Sequence, residues 1–165
     1  MKEKRILKHS YNWVPPFERK SRFPGNDKPH RIGKPEKRKP YLWVTRSLPK
    51  QLESDLFLIN DSGEVLEEVI SNISGFVTSD EDVHPFSSKA SYTYKNVQPG
   101  EAVKVEEYNE MLDSDFVLGL SVQIKSEELG EIEISISGTR GGIGETVILW
   151  DTLETGPNSK KIVPQ

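Results

Sequence analysis

The chain has 165 residues, no cysteine, 34% hydrophobic residues and a formal net charge of -4. That length suits one ordinary domain, and the absence of cysteine excludes a disulfide framework, a thiolate metal site and a cysteine nucleophile. The charge is unevenly placed: residues 1–50 hold 15 Lys+Arg against 4 Asp+Glu, so a basic arm of +11 precedes an acidic body of -15.

Residues 1–40 read as an extended or disordered arm. Seven of the eleven prolines fall in residues 1–50, each fixing its own φ, removing an amide donor and restricting its predecessor. The N-terminus is basic, but no apolar stretch of signal-peptide length follows it, and no stretch is long enough to span a membrane. Cytoplasmic residence is the expectation. Arg31, Lys34, Lys37, Arg38 and Lys39 form the densest basic stretch, and Tyr11, Trp13, Phe17 and Phe23 interleave aromatic rings with the charge. Such a segment could bind a protein partner, engage nucleic acid by neutralising phosphates and stacking on bases, or fold back along the acidic body with Trp13 and Phe17 as anchors. The residues assigned to partner binding are Tyr11, Trp13, Phe17, Arg31, Lys34, Lys37, Arg38 and Lys39.

Residues 41–152 change to short runs of period two, the mark of half-buried antiparallel strands. In residues 115–125, Phe116, Leu118, Leu120, Val122 and Ile124 alternate with small or polar residues, and only Val117 breaks the polar phase. Ile132, Ile134 and Ile136 repeat the device, after a polar connection ending in Gly130. Further strands are expected at 41–46, 55–60, 64–71, 91–95, 101–108 and 145–150. The stretch 64–71 also suits a helical face, but it is short and β-branched at its end. Asn60-Asp61-Ser62-Gly63, Gln98-Pro99-Gly100 and Gly141-Gly142-Ile143-Gly144 supply turn chemistry between runs.

Seven or eight such strands predict an all-β antiparallel sandwich, with residues 153–165 as a C-terminal tail. Tyr94-Lys95-Asn96-Val97-Gln98-Pro99-Gly100-Glu101-Ala102-Val103-Lys104-Val105 resembles the strand, Pro-Gly turn, strand unit of bacterial immunoglobulin-like and fibronectin-like sandwiches. The resemblance implies an immunoglobulin-like fold. It carries over no functional residue.

Chemistry is sparse. Asp80, Asp82 and His84 could hold a divalent cation, yet their spacing matches no EF-hand loop, and an acidic loop between strands explains the same letters. No GxSxG elbow accompanies His84, the glycines at 141, 142 and 144 miss the phosphate-loop spacing, and 22 acids in residues 51–165 make a chance carboxylate pair almost inevitable. The arginine-plus-[DN]xSxxG pattern of cyclic-dinucleotide receptors is absent. No cofactor is expected. The sequence therefore predicts a non-catalytic interaction module that binds a protein through its arm or an exposed sheet edge. Nucleic-acid binding through residues 1–40 is the alternative, and an enzyme or metal protein using residues 80–84 comes third.

Overall fold

The computed structural model describes residues 5–6, 11–15, 36–79 and 82–162. They form ten strands: β1 (Arg5–Ile6), β2 (Pro40–Arg46), β3 (Glu53–Asn60), β4 (Leu66–Ser79), β5 (Asp82–Val97), β6 (Ala102–Asn109), β7 (Phe116–Ser126), β8 (Gly130–Arg140), β9 (Thr146–Trp150) and β10 (Ser159–Ile162). All pairings are antiparallel and make two five-stranded sheets, in the orders β1-β6-β3-β2-β9 and β10-β8-β7-β4-β5. The all-β sandwich read from the alternating runs is thus the observed class. Among the described residues there is no helix, and so none long and apolar enough to cross a membrane.

The period-two runs explain the space between the sheets. Leu118, Leu120, Val122 and Ile124 of β7 are buried there with Ile134 and Ile136 of β8, while Gln123 and Lys125 face outward. The first sheet answers with Leu42 and Val44, Leu56 and Leu58, Val103 and Val105. Each such side chain contributes roughly 1.5–3 kcal/mol of burial relative to exposure. The ambiguous stretch after Glu64 is strand, because Leu66 and Val69 are buried in this core while the backbone pairs with both β5 and β7.

Three strands of the first sheet do not alternate. Leu42-Trp43-Val44, Leu56-Phe57-Leu58-Ile59 and Val147-Ile148-Leu149-Trp150 are apolar on both faces, as strands covered on both sides must be. Their second face builds a separate cluster of Trp43, Phe57, Ile59, Ala102, Val147 and Trp150, against which Tyr11 and Trp13 pack. The N-terminal segment therefore adds a partial third layer outside the first sheet.

Residues 153–165, expected as a tail, include sheet. Thr155 bridges Leu149, Gly156 N–H donates to Ile148 O at 3.2 Å, and β10 pairs with β8 from Ser159 to Ile162. Gly156 can lie this close because it has no Cβ; one placed there would sit 1.6 Å from the Val147 carbonyl oxygen. The acidic loop expected around residues 80–84 is also shorter, since Asp82 pairs with Ser79 and His84 with Val77 inside the β4–β5 hairpin.

Candidate interaction surfaces

The outer face of the first sheet binds the chain's own N-terminal segment through rings. Tyr11 tilts over Phe57 with centroids 6.3 Å apart, and Trp13 meets Trp150 edge-on at 5.3 Å. Trp43 sits deeper, its Nε1–H donating to Asp61 Oδ2 at 2.8 Å. Arg38 places its guanidinium 4.3 Å from the centre of a Trp150 ring. Its Nε donates to Glu36 Oε1 at 2.8 Å and its Nη2 to Glu36 Oε2 at 2.9 Å, while Nη1 reaches Glu154 at 3.2 Å. The side-chain and backbone hydrogen bonds that Arg38 donates hold Glu36 at about 2, and donating its side-chain bonds to Glu36 raises Arg38 in turn.

The residues assigned to partner binding from the sequence separate here. Tyr11 and Trp13 are partly buried against the body, and Arg38 is tied to Glu36 and Glu154. Lys37 and Lys39 are exposed. Phe17, Arg31 and Lys34 lie outside the described residues, as does Asp80; Asp82 and His84 are placed only by backbone, at the start of β5. Among the described residues no three Asp, Glu or His side chains are grouped as a metal would require. Asn60, which opens the Asn60-Asp61-Ser62-Gly63 turn, is fully buried, its Nδ2 donating to Glu64 O at 2.9 Å and Val97 O at 3.2 Å.

Four sheet edges remain as surfaces, and they differ. The β6 edge takes β1 at Ala102 and Val103; beyond it, Tyr94 Oη donates to Lys104 O at 2.5 Å and Ser71 Oγ to Val105 O at 3.0 Å. Residues 154–156 cover the β9 edge. The β10 edge is four residues long and carries Lys160 and Lys161, the kind of short charged edge that discourages pairing. The outermost strand at the other end of that sheet is β5, 16 residues long. Pro85 and a register shift between Asn72 and Ser74 interrupt its first half, whereas residues 92–97 pair regularly with β4.

A further group was not legible as a site. Leu56 pairs with Glu106 and Phe57 with Lys104, leaving Val105 as an extra residue in β6. This bulge turns Glu106 to the inner face with Leu56, where it is 6% exposed and its Oε2 has no hydrogen-bond partner. Burial, reinforced by Asp113 and Glu107, raises its carboxyl to about 7. Tyr108 is pushed up to about 12 by burial, and its hydroxyl, beside the Ile143 backbone, makes no hydrogen bond of good geometry. Arg46 stacks 4.5 Å from the Tyr108 ring centre and binds Glu110 at 2.9 Å. On the outer face Lys104 is held between Asp55 at 3.2 Å and Glu107 at 2.7 Å; burial would lower its pKa, but these bonds raise it. The phase slip in Val103, Val105, Tyr108 was the available signal, since apolar residues at odd positions give way to one at an even position.

No family model, no curated protein and no solved structure matches this chain. Its chemistry must be argued from its own surfaces.

Proposed function

We propose that this protein is a non-catalytic interaction module that binds an extended protein segment by strand addition at a sheet edge, with β5, the longest of the outermost described strands, as the candidate. The observation that carries the reading is the contrast between edges. β6 and β9 are covered by the chain itself, β10 is short and lysine-bearing, and no described segment pairs with the outer side of β5. Strand addition gives affinity through main-chain bonds, and Thr93, exposed on β5, would add side-chain selectivity.

The topology supports an immunoglobulin-like assignment. β2, β3 and β6 share one sheet, like strands A, B and E, and β4, β7 and β8 share the other, like C, F and G. β5 differs from strand D of a constant-type domain by joining the C, F, G sheet. That placement is what makes β5 an outermost strand beside β4.

The docked rings weigh against nucleic acid as the ligand of the arm, because Tyr11 and Trp13 pack against Phe57 and Trp150 and so are partly withdrawn from unpaired bases. The test is a peptide selected from a random displayed library against the full chain. Strand addition uses only alternate amides of the added segment. N-methylating one alternate set should abolish binding and the other should leave it intact, with new amide-exchange protection in β5. Equal binding of both methylated peptides would overturn the proposal.

A further inference from the structure

The three most exposed large apolar side chains among the described residues are Leu48 at 89%, Met111 at 72% and Leu112 at 72%, and all three lie at one end of the sandwich. Leu52 joins them from the same β2–β3 turn as Leu48. The two turns touch: Glu110 N–H donates to Leu52 O at 2.7 Å, and Glu53 pairs with Asn109. Single exposed leucines are ordinary, but a group of them on adjoining turns marks an interaction surface.

The backbone holds these side chains out against local preference. Lys50 and Glu53 exchange both backbone bonds, at 2.7 and 3.0 Å, around a two-residue turn whose centre is Gln51 and Leu52 at φ 51° and 67°. Asn-Gly adopts that left-handed turn readily, whereas a leucine Cβ crowds its own backbone there. In the neighbouring turn Asn109 Oδ1 accepts from the Met111 and Leu112 amides at 3.0 and 2.9 Å, and Asp113 Oδ2 accepts from Asn109 N–H at 2.6 Å. Fixed turns spend little entropy when their side chains are bound.

Leu48 also borders an open groove of about 580 Å³ with Tyr11 and Phe57 on its apolar side. The rest of its lining is polar and, on balance, acidic: Glu53, Asp55 and Glu107 against Lys50 and Lys104, the latter already held by Asp55 and Glu107. Glu53 and Asp113 form no ion pair among the described residues. We propose that this end is a second docking surface, for a protein segment that sets a basic side chain beside an apolar one. The apolar side chain packs against the leucine and methionine tips, and the cation meets Glu53 and Asp113. The same carboxylates disfavour an anionic bilayer, which otherwise suits apolar turn tips.

Met1 and Met111 are the only methionines, so methyl labelling of methionine in the full chain gives two signals, of which that of Met111 reports on the surface. The probe is a synthetic peptide alternating lysine and leucine, with its glutamate counterpart and phosphatidylserine vesicles as comparisons. Expected are a shift of the Met111 methyl, and a loss of affinity of about tenfold or more in a Leu48→Ser, Met111→Ser, Leu112→Ser variant. That variant should keep its thermal midpoint, because its changed side chains are exposed. An unmoved Met111, unchanged affinity in the variant, equal binding of the glutamate peptide or preferential binding of vesicles would each overturn the proposal. So would self-association of the free chain that the triple change abolishes.

Discussion

Trp13 meets Trp150 at an interplanar angle of 81°, edge to face, and through that contact a residue from the basic segment shields the outer face of the first sheet. The contact couples the segment to the body's stability. Trp13→Ala should therefore lower unfolding free energy by about 2 kcal/mol, below the 3–5 typical of a fully buried tryptophan because Trp13 is only partly buried. Urea unfolding followed by the remaining tryptophans measures it. A change within error would mean the segment lies on the sheet without stabilising it.

Arg38 acts on Glu36 by direct hydrogen bonding, so Arg38→Ala should release the carboxyl from about 2 toward its ordinary 4.5. A carbon-detected NMR titration of the glutamate side chains reads this directly. Retention of the low value in the variant would assign the shift to something other than the guanidinium.

Glu106 has its folded value raised, to about 7 from 4.5. A raised carboxyl contributes stability that is fully present below the unfolded value and is lost as pH rises through the folded one. The wild type should gain up to about 3 kcal/mol from this group between pH 8 and pH 4.5, since each unit is worth about 1.4 kcal/mol. Glu106→Gln should remove that part of the pH dependence. Chemical unfolding at pH 5 and pH 8 tests it, and an unchanged difference between the two pH values in the variant would refute the assignment.

Gly156→Ala should destabilise by about 1–3 kcal/mol, the usual cost of overpacking, because its Cβ would overlap the Val147 carbonyl and force residues 154–156 off the β9 edge. Faster amide exchange in β9 should accompany the loss. Faster exchange confined to Asn158 and beyond would place the strain elsewhere.

The sandwich was readable because β7 and β8 each bury one face and expose the other, and alternation reports that geometry directly. The outer layer was hidden for the opposite reason. Trp43, Phe57 and Trp150 interrupt alternation in strands covered twice, so the runs show that something covers the sheet without naming Tyr11 and Trp13. Which edges the chain covers depends on pairings such as Leu149 with Thr155, and these follow from the path of the whole chain rather than from local pattern. The bulge at Val105 left one mark, the phase slip before Tyr108, and it reverses the face expected for Glu106. The strained turn at Gln51 and Leu52 left none, since neither residue is one that such a turn favours.

β2 lies between β3, which follows it at once in the chain, and β9, which is translated only after β4 to β8. On the ribosome, then, a nascent chain holding β2 to β8 would display Trp43 and Val44 along a bare central edge until residues 146–150 emerge, and the β8 edge would wait longer still for β10. Premature pairing of that edge with another nascent chain is the characteristic hazard of such an order of synthesis, and a chaperone that shields exposed strands would have its work between β3 and β9.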